Sequence, residues 1–125
     1  RDKAIALGKA KIWRSGWIAD YPDAENFLSL FFGGNIHENS ADVNAFKFRN
    51  KQYDTLFEKA LRELDEKKRN DLFAKCDQMI VDQAPVLPIL TDDFMVMINA
   101  RIRDFRTNSM ENLDFSTIFI KEPRK

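Results

Sequence analysis

Between Asn50 and Pro85 the chain carries two amphipathic stripes parted by one capping residue. Apolar residues recur at Tyr53, Leu56, Phe57, Ala60, Leu61 and Leu64, the three-and-four spacing of a single helix face. A second stripe follows at Leu72, Phe73, Cys76, Met79 and Ile80. Asn50 and Asp65 stand where N-caps are needed, because their short side chains can accept from backbone N–H groups that have no partner inside a helix. Pro85 stops the second helix, since the residue before a proline is pushed out of the helical region. Helices joined this tightly at Asp65 predict an antiparallel or steeply crossed hairpin.

A third, shorter helix is expected from Ala24 to about Phe32, with Asp23 at its N-cap and Gly33-Gly34 as its stop. Phe27, Leu28, Leu30, Phe31 and Phe32 cover most of its circumference, which predicts deep burial. Lys11 to Ile18 reads as extended, with Trp13, Ser15 and Trp17 on one face. Val86–Leu90, Phe94–Ile98 and Phe115–Ile120 are rich in β-branched and aromatic residues and are expected strands. A polar loop holding His37 lies between Gly33 and Phe48. The mixture is α+β, without the regular alternation of a doubly wound domain.

A chain of 125 residues fits one domain with a modest core. Lys plus Arg and Asp plus Glu balance at 20 each, so charge provides no reason to expect nucleic acid or an anionic membrane surface as partner. No apolar run is long enough to span a bilayer. The chain starts Arg1-Asp2-Lys3, without Met and without a visible signal peptide, which is expected of a segment of a longer protein. One cysteine excludes an intrachain disulfide and a Cys-based zinc cage. Cys76 falls within a helical stripe, so a buried, inert thiol is expected. The tail from Asn99 to Lys125 carries Ile102, Phe105, Leu113, Phe115, Ile118, Phe119 and Ile120 with no helix after it to cover them. Such a strand either pairs within its own domain or belongs against a lobe outside this chain.

No nucleophile elbow, phosphate loop, dinucleotide fingerprint or His-Glu zinc motif is present, and neither a cofactor nor a metal is expected. A lone His37 in a polar loop is read as solvated. Asp20 with Asp23 or Glu25 offers a carboxylate pair of the kind a hydrolase uses. Asp23 and Glu25 are better explained by the helix they begin, one as cap and the other at the positive end of the dipole. Asp20 stands apart, between the aromatic extended segment and the turn at Pro22, three residues after Trp17. A carboxylate beside an indole suits a ligand with an ammonium group and an apolar neighbour. The carboxylate contributes a charge-assisted hydrogen bond of about 1.5–3 kcal/mol, and the ring about 0.5–2 kcal/mol of cation–π attraction. Local physics alone favours the blander reading, a core Trp and a turn-capping Asp.

The stretch Gly16-Trp17-Ile18-Ala19-Asp20-Tyr21-Pro22-Asp23-Ala24-Glu25-Asn26-Phe27-Leu28 resembles the Gly-Trp-x-x-Asp-Tyr-x-Asp-x-x-Asn-Phe-Leu run of the family 5 extracellular solute-binding proteins. These are the dipeptide and oligopeptide receptors of ABC importers. Asn44, Phe48, Asn50, Tyr53 and Asp54 resemble the family's next block, and Arg69 with Phe73 its following helix. Asp82-Gln83-Ala84-Pro85, then Val86-Leu87-Pro88, and finally Ile98-Asn99-Ala100-Arg101 continue the likeness in order.

The resemblance implies the C-terminal portion of a two-lobed binding protein, with a mixed sheet and helices. Residues 1–98 then belong to the later part of the second, ligand-binding lobe, and residues 99–125 return to the first. It implies a peptide ligand held in an interlobe cleft, with Asp20 pairing with the α-amino group and Trp17 lining a side-chain pocket. It further implies an ABC permease as partner, no catalysis, and a periplasmic or extracellular home, free or lipid-anchored. Relatives for nickel or oligosaccharide often lack this Asp, so its presence favours an amine-bearing ligand; a hydrolase or a non-peptide receptor is the alternative. At most half a cleft resides here, and in isolation the 99–125 tail is expected to self-associate or to be poorly ordered.

Overall fold

The computed structural model describes residues 1–38, 40, 43–91, 95–108 and 113–121. The chain divides into two compact units, Arg1–Leu87 and Pro88–Lys125. The first is helical: α1 (Asp2–Ala6), α2 (Ala24–Leu28), two 3₁₀ turns (Ser29–Phe31 and Gly33–Asn35), α3 (Lys51–Arg62) and α4 (Glu66–Gln83).

Both long helices begin where their caps stand. Asn50 accepts from the backbone N–H groups of Gln52 and Tyr53 at 2.9 and 3.1 Å. Asp65 accepts from Lys68 N–H at 2.9 Å. At the far end Ala84 takes a left-handed conformation (φ 45°) and its N–H returns to the Ile80 carbonyl, so α4 closes just before Pro85. Three residues, Glu63 to Asp65, join the helices, which pack on one another along their facing stripes. Tyr53, Phe57 and Ala60 are buried against Leu72, Phe73, Cys76 and Ile80. The Phe57 ring lies 6.0 Å from Tyr53, 6.1 Å from Phe73 and 5.3 Å from Phe32, between centroids. The stripe of α3 stops earlier than its periodicity suggests. Leu61 is half-exposed and Leu64 is 98% exposed, because both lie where α3 ends and the chain turns away.

α2 is shorter than expected. After Leu28 the helix tightens into a 3₁₀ turn, which changes the residues that face inward. Leu28, Leu30, Phe31 and the polar Asn26 are buried, whereas Phe27 is 48% exposed, so burial on every side does not occur. Gly33 does not end the helix in open space. Its N–H donates to the Asp54 carboxylate at 2.8 Å, and a side chain there would meet that carboxylate at 2.6 Å. Glycine is what lets the first turn of α3 come this close.

Buried polar groups tie this unit together across long sequence separations. The Tyr53 hydroxyl donates to the Leu28 carbonyl at 2.6 Å, and burial pushes its pKa up. Asn44, 2% exposed, donates to the carbonyls of Phe32 and Phe48, each at 3.0 Å, and accepts from Phe48 N–H at 3.0 Å. Phe31 stacks on Phe46 at 5.4 Å, and Phe46 on Trp13 at 6.0 Å. Trp13 therefore serves the core loop.

Among the described residues the only ladder is in the second unit, an antiparallel pair β1 (Ile102–Arg103) and β2 (Phe119–Ile120), with Ile102 opposite Ile120 and Arg103 opposite Phe119. The Lys121 N–H donates to Arg101 O at 2.8 Å beside it. The described segments 101–103 and 119–121 thus pair with each other. Residues 11–18, 86–90 and 95–98, expected as strands, form no ladder; Phe94 lies outside the described residues. A strand needs a partner row of backbone groups, and among the described residues none is supplied. Leu87, Ile89, Met95 and Met97 are largely exposed, Met97 at 91%.

Candidate ligand-binding site

Trp17 and Asp20 precede α2, and one residue inside that helix holds both. Asn26 is 4% exposed. Its Oδ1 accepts from the Trp17 indole Nε1–H at 2.7 Å and from the Asp20 backbone N–H at 3.2 Å. Its Nδ2 donates to Asp20 Oδ2 at 3.2 Å. The amide thereby uses both ends, and an indole and a carboxylate from an irregular stretch are brought onto one scaffold residue. Trp17 is 40% exposed and Asp20 is exposed, so each keeps a surface open to solvent. The indole N–H is satisfied inward.

The neighbouring acids have other duties. Asp23 caps α2, accepting from Glu25 N–H at 2.8 Å. It also receives both arms of Arg69, at 2.8 and 3.0 Å, from the first turn of α4. This forked pair holds the Asp23 carboxyl below the usual carboxylate range, with the Arg69 hydrogen bonds as the main cause and burial opposing them. The Arg69 guanidinium also lies 4.5 Å over the Phe73 ring. The start of α2 is therefore bolted to α4. Glu25 accepts from the Tyr21 hydroxyl, which raises the Tyr21 pKa.

Cys76 is buried, and burial pushes its thiol up to about 11. Among the described residues no three His, Cys, Asp or Glu side chains come together to hold a metal ion, and no helix is long and apolar enough to cross a membrane. Asn26, Arg69 and Asp54 carry jobs that spacing alone does not disclose. For Asn26 the signal is its place in the run that carries Trp17 and Asp20, since its neighbours Glu25 and Phe27 are not buried.

A putative binding protein of Haemophilus influenzae is 33% identical over 107 residues, 86% of this chain and 20% of the relative. A dipeptide-binding protein of Bacillus subtilis is 32% identical over 81 residues, 65% of this chain and 14% of its own length. The chain is related to the family 5 solute-binding proteins. A probable deoxycholate-binding periplasmic protein of Escherichia coli is 28% identical over 119 residues, 94% of this chain and 21% of that protein. Other relatives are named for oligopeptides, di- and tripeptides, a murein peptide and heme. The chain spans about a fifth, or less, of the length of these relatives. No family model and no solved structure matches it.

The positions that resemble the family's second block have plain structural work here. Asn44 stitches a loop, Asn50 caps α3, Tyr53 reaches the Leu28 carbonyl and Asp54 receives Gly33. Arg69 and Phe73 support Asp23. Trp17 and Asp20 differ from all of these in presenting open surface.

Proposed function

We propose that this chain forms one wall of the ligand cleft of a solute-binding protein that delivers peptides to an ABC importer. Asp20 receives the ligand's α-ammonium group, and Trp17 provides an apolar wall beside it. The observation that carries this reading is the pairing of an exposed carboxylate with a half-exposed indole on the single buried amide of Asn26. The dipeptide-, oligopeptide- and murein-peptide-binding relatives support it. The whole protein closes two lobes over its ligand, with residues 1–98 in the second lobe and 99–125 returning to the first. Solvent exclusion on closure strengthens the Asp20 ion pair. The protein works outside the cytoplasm, in a periplasm or on a cell surface, free or lipid-anchored.

A binder is favoured over a hydrolase because the acids near Asp20 are committed elsewhere. Asp23 is held by Arg69 and by its helix, and Glu25 by Tyr21. The deciding experiment is Asp20→Asn in the whole natural polypeptide, with peptide affinity measured by calorimetry. Free-amine peptides should lose about tenfold or more, and N-acetylated peptides should bind as before. Equal loss for both ligands contradicts the assignment. The exposed Phe115, Phe119 and Ile120 support self-association of the tail in the isolated chain. Sedimentation across a concentration series should show dimers or larger species, and a monomer throughout speaks against it.

A further inference from the structure

Asn26 does more than fill a buried position. We propose that it is the positioning residue of the site: it fixes which oxygen of Asp20 faces a ligand and at what angle the Trp17 ring stands beside it. The inference rests on the reading of Asp20 and Trp17 as ligand-facing residues.

Three bonds converge on this one side chain. With Oδ1 taking the Trp17 indole and the Asp20 backbone N–H, the orientation of the amide is set, because an amide turned the other way would present N–H groups to two donors. Its Nδ2 must then point to Asp20 Oδ2. That oxygen already accepts one hydrogen bond, and Oδ1 of Asp20 is the freer of the two to meet an incoming cation. Nothing in the surrounding loop would do this unaided, since residues 11–20 form no helix or ladder. Asn26 itself is held on several sides: it lies in α2, is 4% exposed, and its carbonyl accepts from Ser29 Oγ at 3.0 Å. The helix start is in turn clamped by the Asp23–Arg69 pair. Rigidity thus passes from α4 through α2 to two residues of an irregular segment. A pre-set carboxylate and ring bind more tightly than mobile ones, because less ordering is left to be done on binding.

The test uses the whole natural polypeptide with Asn26→Asp and Asn26→Leu. Asn26→Asp keeps an oxygen to accept from Trp17 and from the Asp20 N–H, but replaces the donor to Asp20 with a second carboxyl. Two carboxyls this close share a proton at low pH and repel one another once it is lost. Near pH 5 Asn26→Asp should bind a free-amine dipeptide within about threefold of the parent. By pH 7 it should fall about tenfold behind, while the parent changes little and an N-acetylated dipeptide binds both equally. In nuclear magnetic resonance the Trp17 indole proton should exchange slowly in the parent and in Asn26→Asp, and quickly in Asn26→Leu. An Asn26→Asp protein of unchanged thermal stability whose pH profile follows the parent, or which binds the amine more tightly at pH 7, overturns the proposal. So does an indole proton that exchanges equally fast in the parent and in Asn26→Leu. A parent that ignores N-acetylation removes the peptide reading instead, and the indole exchange then decides by itself whether Asn26 holds the site residues.

Discussion

The two units of this chain solve the burial problem in different ways. Residues 1–87 bury a continuous core from Leu28 to Ile80, and among the described residues no side-chain N or O is buried without a hydrogen-bond partner. Residues 88–125 have a two-residue ladder and present Leu90, Met95, Met97, Phe115 and Ile120 to solvent. Burial of a Leu or Phe side chain contributes about 1.5–3 kcal/mol, and only the first unit collects that gain repeatedly. In the second, apolar residues of the right kind stay exposed among the described residues. Apolar content is therefore a poor guide to where stability lies; mutual contact decides it.

Substitutions in either unit test this difference. The largest effect is expected from Phe57→Ala, which empties a fully buried site touched by three rings and should cost about 3–5 kcal/mol in denaturant unfolding. A loss under about 1 kcal/mol would mean the first unit is less tightly packed than described. Asn44→Ala leaves the Phe48 carbonyl and N–H without their partner and takes one of two donors from the Phe32 carbonyl, and should cost about 2–3 kcal/mol.

Asp23→Asn keeps a competent cap but loses the forked pair with Arg69, at about 1 kcal/mol, since the pair is partly solvated. That variant also carries a pH signature. The folded pKa of Asp23 is depressed, so its contribution is complete above the ordinary carboxylate value of 3.8 and is lost as pH falls through the depressed value. The parent should therefore destabilise more steeply than Asp23→Asn below about pH 4, which acid titrations of thermal unfolding can measure. The smallest effect is expected in the second unit. Phe119→Ala, at a half-exposed ladder position, should move the main unfolding transition by less than about 0.5 kcal/mol.

Local rules explain what was legible in the sequence. Asn50, Asp23 and Asp65 sit at helix starts because capping is decided within a few residues, and Pro85 acts on its immediate neighbour. The end of the α3 stripe was not legible, since Leu61 and Leu64 keep the period after the partner surface has gone. The strands at 11–18 and 86–90 failed for the opposite reason: β-branched and aromatic content describes a residue that fits a sheet, and cannot supply the neighbouring strand. The ties Arg69–Asp23, Tyr53–Leu28 and Asp54–Gly33 join residues 46, 25 and 21 positions apart, which periodicity never reports. Trp17 and Asp20 stood out chiefly through family resemblance. Asn26 was visible in the same run, but its role depends on the three-dimensional meeting of one amide with two side chains.

Asp20 and Trp17 are proposed as half of a peptide site, completed by the rest of a longer protein. Calorimetry with one free-amine dipeptide, on this 125-residue chain and on the whole natural polypeptide, tests it most directly. Measurable binding is expected of the whole polypeptide, and none at micromolar peptide concentrations of the isolated chain. Micromolar affinity in the isolated chain, or no binding in the whole polypeptide, contradicts it.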